Sequence, residues 1–501
     1  MNIRFVTLLF AALLLLNLPS KAQKTTSNGP ETEIGDAAKI VVFGEDDNYL
    51  YIFSSDCDMF GGYDDSYITI YDKNKNSMVN EYEFDDDYEC LTAYLDGNNV
   101  VAVNGKYNKK TKCVEYGKTV IPIQGKAPKK FVFTPIVSVP TNGLEEENIC
   151  AFLSSDRTKL AFVTYLHPKK NDNEYVLDAR IFDLDGNEIS HVNEHVNAPC
   201  ADRVNGWLTP DGTIYLDENI HMKANVKFTM GGAYAQRRDA KRFSCVTASG
   251  EVVLCKMDTG DEPIYDPITA ILPNQHLFVA GATDKGIFTI EFDGNGEGEA
   301  VLHELEIPER PEKTQYDQYY NELKSNFYPN QILPLSNGNI LILGYESKLV
   351  VSTDINGKMH TDYYHRNIHL FLIDNKGELI ATTTLPSANV NNGAWHKDTP
   401  RAFELNNEVY LIFNDNKINY NSSNPKIWKA LVYNKGSQEC VVAGKLDSDL
   451  NLSPEIIYKP KSQKDFNNIE YFEEIINTSN DAVYYILRRD GGNHIEVLTE
   501  E

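Results

Sequence analysis

Two histidine groupings and two amide-rich aromatic loops are the residues of this chain best suited to chemistry. His191-Val192-Asn193-Glu194-His195 has the H-x-x-E-H order in which two imidazoles hold zinc and a carboxylate activates a bound water. That arrangement needs both histidines on one face of a helix, one turn apart. Here the segment follows the Asp185-Gly186 turn and the strand-like Glu188-Ile189-Ser190, and Pro199 lies just beyond, so the order is read as coincidence. His360, His365 and His369 form a looser group with Asp362. On a strand, residues four apart share a face but stand about 13 Å apart, too far for one metal. The chain has no G-x-S-x-G elbow, phosphate-binding glycine loop or Cys-His nucleophile signature. No catalytic residue, metal site or cofactor is therefore assigned.

The loops offer recognition instead. One is Asn391-Asn392-Gly393-Ala394-Trp395-His396; the other runs from Asn414 through Asp415, Asn416, Asn419, Tyr420 and Asn421 to Trp428. Sugar rings stack on Trp or Tyr faces while amides bind their hydroxyls, which makes Trp395, His396, Asn416, Tyr420 and Trp428 candidate ligand-binding residues. The plainer alternative is that the asparagines serve turns and Trp428 begins a buried strand. Catalysis by a carboxylate pair stays open, because such acids are recognised by separation in space and the chain has 73 of them.

Arg4, the apolar run Phe5 to Leu18, Pro19 and the small residues around Ser20-Lys21-Ala22 have the three parts of an export signal, with cleavage expected between Ala22 and Gln23. The apolar run is short of the roughly 20 residues that span a bilayer, so no transmembrane anchor is expected after cleavage. The protein is thus expected outside the cytoplasm: in the periplasm, at the cell surface or secreted. Losing residues 1–22 removes Arg4 and Lys21 and no acid, taking the net charge from −26 to −28. Such a surface repels phosphate backbones, which argues against a nucleic-acid partner. Eight cysteines permit disulfides in that compartment without requiring them; the nearest pair, Cys245 and Cys255, flanks the Ser249-Gly250 turn. Oligomeric state leaves no sequence signal.

The elements that must position these residues are strands. One pattern returns eight times: a polar turn with Asp, Asn or Gly, then a burst of β-formers, as in Asp46-Asp47-Asn48-Tyr49-Leu50-Tyr51-Ile52-Phe53. The bursts centre on residues 50, 100, 160, 214, 277, 340, 409 and 483. Hairpin signals with glycine follow, clearest at Phe182 to Asn187, Ile373 to Glu378 and Val432 to Ser437, so each unit reads as an antiparallel sheet of about four strands. A single core stops growing near 250–300 residues, and radial stacking of small sheets buries both faces of each.

Ser154-Ser155-Asp156-Arg157-Thr158-Lys159-Leu160-Ala161-Phe162-Val163 resembles the "SPDG" strand start of TolB-type propeller repeats, and Thr209-Pro210-Asp211-Gly212 resembles it again. The resemblance implies a fold, an all-β propeller; the repeat count makes it seven or eight blades. The expected layout is a signal peptide at 1–22, a flexible segment at 23–36 and the propeller at 37–501, with Lys39 to Phe43 a candidate to complete the last unit. Units longer than the ~40 residues of a compact blade place excursions at 217–240, 307–330, 386–400, 414–427 and 451–470. Tyr316, Tyr319, Tyr320, Leu323 and Phe327 recur at helical spacing, predicting a short helix over 314–327.

Long loops on a rigid scaffold concentrate binding residues. The expectation is a non-catalytic exported propeller that binds a glycan or protein through them. The alternatives are a carbohydrate-active hydrolase or lyase with axial carboxylates, and an envelope scaffold.

Overall fold

The computed structural model describes residues 22–25 and 37–500, apart from 58–62, 76, 85–88, 124–131, 170–172, 202, 222–226, 230–231, 235–238, 258–264, 284–285, 305–312, 315–325, 354–358, 393–398, 421–426, 429–430, 433–438, 460–470, 479–481 and 490–491. Eight sheets follow one another along the chain, at 37–84, 89–140, 145–196, 203–255, 265–304, 326–392, 401–458 and 471–500. Seven of them have four strands and the sixth has five.

The sequence bursts explain the sheets. Each burst is the second strand of its sheet, from Tyr49–Cys57 to Ala482–Arg489. A second strand has a partner on either edge and another sheet against either face, so it reads as a continuous apolar run. Leu277–Ala282, for example, is buried at every position. Phe53 and Ile68 of the first sheet meet Val100 and Ala102 of the second. Equivalent apolar layers separate every later pair. A final layer sets Leu50 and Ile52 of the first sheet against Tyr484 and Ile486 of the eighth, which closes a ring. The fold is a β-propeller.

The ring is fastened by the chain's early residues. Ala22–Thr25 pairs antiparallel with Gly492–Glu500 as the outermost strand of the eighth blade, Ala22 opposite Glu500 and Thr25 opposite Val497. An early strand does complete the last blade, but it is not Lys39 to Phe43. Those residues belong to Ala37–Glu45, the first strand of blade one. Gln23 to Thr25, expected within a flexible segment, are part of the sheet.

In blades one to seven the strands are hydrogen-bonded in chain order, and the first strands of successive blades pack together around the axis. One end of the ring therefore carries the first-to-second and third-to-fourth turns. Tight ones include Thr209 to Thr213, Leu335 to Asn339, Asp183 to Asn187 and Asp374 to Glu378, each closed by backbone hydrogen bonds of 2.8–3.1 Å. The other end carries the second-to-third and blade-to-blade connections. All five long excursions expected from the sequence emerge at this second end. Two of them are tied together there: Lys313–Thr314 pairs parallel with Ile427–Trp428. Leu431–Val432 pairs parallel with Asn389 and Val390 on the outer strand of blade six.

Two local expectations are corrected. Thr314 closes a two-residue strand and Asn326–Pro334 is the first strand of blade six, so the predicted helix fails at both ends; residues 315–325 lie outside the described residues. Phe327 packs edge-on against His369 and Phe371, centroids 5.7 and 5.5 Å away, which favours a sheet position. Val432 belongs to the parallel tie on blade six rather than to a blade hairpin, and residues 433–438 lie outside the described residues. Among the described residues no helix is long and apolar enough to cross a membrane.

Candidate functional site

A cavity of about 600 Å³ runs along the axis against the first strands of blades one to five. Its walls are largely apolar, with Val41, Leu91, Ile149, Phe152, Val204 and Trp207 contributed by four blades. Val41 is 40% exposed, a measure of how open the space is. At one place two first strands touch directly, through a parallel bridge between Ser154 and Leu208. The size suits a small organic ligand.

Polar groups stand at defined points of this wall. Among the described lining residues Asp217 is the only carboxylate and Arg157 the only cation. Both oxygens of Asp217 accept from Lys241 Nζ, at 2.7 and 2.9 Å, and Thr269 Oγ1 donates to Oδ2 at 3.2 Å. Its charge is therefore matched within the protein. At the turn-bearing end, Ser155 Oγ donates to Gln275 Oε1 at 2.9 Å, linking the turns of blades three and five across blade four. Arg157 and Gln275 both have left-handed backbone, φ 56° and 69°.

The first-to-second turns of blades three to six explain that geometry. Arg157, Gly212, Gln275 and Gly338 occupy the same place, each donating its N–H to the carbonyl three residues back at 2.8–3.0 Å. Glycine is the residue that adopts left-handed backbone without a steric penalty. Sequence reading passed over Arg157. The signal was present, since Arg157 stands where Gly212 stands in the second TolB-like segment.

The loop residues singled out from sequence have diverse placements. Asn416 is buried at the end of the second strand of blade seven, and Lys417–Tyr420 forms a 3-10 turn after it. Asp415, fully buried, accepts from the Asn416 N–H at 2.7 Å, Asn419 Nδ2 at 3.0 Å and Tyr420 OH at 2.8 Å. Asn416 and Tyr420 thus satisfy a buried carboxylate, and the Tyr420 hydroxyl is held well above its ordinary pKa by burial and by Asp415. Trp428 lies in the parallel tie with Thr314. Trp395 and His396 lie outside the described residues.

The histidine groups are placed on strands. His191 and His195 lie on Glu188–Val196, the outer strand of blade three, where His191 Nε2 meets Asp178 at 2.9 Å and His195 Nε2 meets Glu174 at 3.4 Å. His360, His365 and His369 lie on Met359–Ile373. Buried His369 bonds Thr384 Oγ1 at 2.9 Å and Glu346 at 3.0 Å; Arg366 Nε and Asn367 Nδ2 also donate to Glu346, at 2.6 and 2.8 Å. Burial by itself raises the Glu346 carboxyl, but the His369 bond and the charges of His369 and Arg366 prevail and hold it at about 2. Among the described residues no three His, Cys, Asp or Glu side chains are grouped to hold a metal.

Cys245 and Cys255 are both buried thiols outside any disulfide, and Cys245 Sγ donates to the Gly294 carbonyl at 3.5 Å. The register sets Cys255 opposite Phe243 and Cys245 opposite Val253, a diagonal relation. Diagonal neighbours lie about 7–8 Å apart, beyond the usual span of a disulfide. Burial pushes the Cys255 thiol up to about 12 and Cys245 well above its ordinary value.

No family model matches the sequence, and no curated protein matches it. Solved structures do. The β-propeller domain of the Trilobed protease from Pyrococcus furiosus is 10% identical, with 84% of this chain and 97% of that one covered at a TM-score of 0.31. A polysaccharide lyase, PL25 ulvan lyase, is 11% identical over 87% and 96%, TM-score 0.37. Prolyl oligopeptidase B from Galerina marginata is 10% identical over 91% and 55%, TM-score 0.38. Likenesses this distant carry no functional argument.

Proposed function

We propose that this chain is an exported, non-catalytic β-propeller that binds a macromolecular ligand, in first place a protein, across the end of the ring that bears the long connections. The observation that carries the reading is the polarity of the ring. Five excursions emerge at one end, and three of them are tied to one another by backbone pairing at Thr314–Trp428 and Val390–Val432, while the opposite end has tight turns. Excursions held in place on a rigid scaffold present a surface at low ordering cost. A protein is preferred over a glycan because Asn416 and Tyr420, named for sugar contacts, are engaged by Asp415. The lining of the axial cavity supports binding over two-acid hydrolysis, since its single described carboxylate is matched by Lys241.

The test pairs an envelope-protein pull-down with a glycan array, using the chain from Gln23. The expected result is one stoichiometric protein partner, lost when 421–438 is replaced by a four-residue turn that keeps Asn419 and Tyr420 on Asp415 and the ring stays folded by circular dichroism. Retention of the partner by that variant removes the proposed face, and specific glycan binding with no protein partner changes the ligand class. N-terminal sequencing of the exported protein is expected to begin at Gln23.

A further inference from the structure

We propose that the turn-bearing mouth of the axial cavity is a second site, separate from the long-connection end, which takes a small organic anion: a flat apolar body with one carboxylate. Three observations converge on it. The first is charge. The chain carries a net −26, yet the described lining of this cavity has one unmatched charge and it is positive, because Asp217 is matched by Lys241 and the exposed Arg157 guanidinium has no hydrogen bond or ion pair among the described residues. The planar guanidinium fork fits a carboxylate through two parallel bonds.

The second is backbone. Arg157 occupies a left-handed position filled by glycine in blades four and six. The other non-glycine residues at left-handed positions of the first-to-second and third-to-fourth turns have a visible reason. Leu450, which replaces glycine in the third-to-fourth turn of blade seven, is 3% exposed and packs into the layer between blades six and seven. Gln275 accepts from Ser155, and Asn406 and Asn407 are of the residue type that tolerates this conformation best. The Arg157 side chain contributes nothing comparable to the fold; what it does is line the cavity. Strain kept without a structural return points to recognition.

The third is the wall. Phe152 and Trp207, from the first strands of blades three and four, offer apolar faces to a flat body, and Ser155 and Gln275 add polar atoms beside Arg157 at the mouth. An apolar cavity with a few polar groups gathered at one end fixes a ligand in one direction.

The test uses dansylglycine, an aromatic carboxylate, and dansylamide, its uncharged counterpart, titrated by fluorescence into the intact protein. Dansylglycine is expected to bind at least tenfold more tightly than dansylamide. Arg157→Gly is expected to abolish that preference, weaken dansylglycine at least tenfold, leave dansylamide unchanged and keep or raise the thermal midpoint. Val41→Trp, which fills the space, is expected to remove both probes. The proposal is overturned if dansylglycine does not bind at millimolar concentration, if the two probes bind equally, or if Arg157→Gly binds dansylglycine as the parent does. Any of these leaves the long-connection end untouched as a site.

Discussion

Arg242 and Glu218, on neighbouring strands of blade four, share two charge-assisted hydrogen bonds of 2.6 and 2.9 Å, and Glu218 has no solvent exposure. The pair also fastens two blades together. Tyr165 of blade three donates to Glu218 at 2.9 Å, and the Arg242 guanidinium lies 5.2 Å over the Tyr175 ring. Removing one partner of a buried pair strands the other charge. Arg242→Leu is therefore expected to lower unfolding free energy by about 3–5 kcal/mol, read from urea midpoints. The double replacement Glu218→Leu with Arg242→Leu is expected to be less damaging than the single change.

Glu346 sets part of the acid limit of stability. Its carboxyl is held at about 2 in the fold, below its ordinary value near 4.3 in an unfolded chain. A depressed folded value means the stabilisation is complete above the unfolded pKa and is lost as pH falls through the folded one. Stability should decline between about pH 4.5 and pH 2, with Glu346 contributing on the order of 2–3 kcal/mol of that decline. In Glu346→Gln, denaturant midpoints are expected to be lower than the parent's at neutral pH and to fall less between about pH 4.5 and pH 2.

Gly206 leaves no room for a side chain. A Cβ there would stand 2.6 Å from the Phe152 ring and 2.9 Å from the Tyr215 carbonyl oxygen, and the second of these is backbone. Gly206→Ala is expected to destabilise by about 1–3 kcal/mol in a thermal melt, with Phe152 displaced within the axial cavity.

Cys245 and Cys255 should be chemically silent in the native protein. Both are buried, and thiols held far above pH 8 carry little thiolate. Iodoacetamide at pH 8 is expected to leave both unmodified in the folded chain. After denaturation without reductant, mass spectrometry should find both alkylated; a disulfide would leave both unlabelled.

The eight bursts were legible in sequence because a strand flanked on both edges and both faces has no polar side, so its signal is local and strong. The surplus lengths that located the excursions were legible for a related reason: a blade has a nearly fixed size. Other features had weak or misleading signals. Ala22-Gln23-Lys24-Thr25 has no apolar alternation, because an outermost strand with one neighbour needs none, and it coincides with the expected cleavage point. The aromatic spacing before Phe327 suits a helix, yet Phe327 itself fits edge-on between His369 and Phe371. Asn416 and Tyr420 have the composition of a ligand contact, but a carboxylate beside them in sequence, Asp415, needed donors once buried. The axial cavity was not legible at all. Its wall is assembled from single strands of five blades, and nothing local to any one of them announces the space between.

A linear array of repeats has two end units, each with one neighbour, and these fray first. The contact of Leu50 and Ile52 with Tyr484 and Ile486 leaves this protein without such ends. Opening any unit exposes two apolar walls at once, one on each adjoining unit, so partial melting is penalised wherever it starts. Heat or urea is expected to find no weak margin to erode, and the molecule should resist as a whole until it yields as a whole.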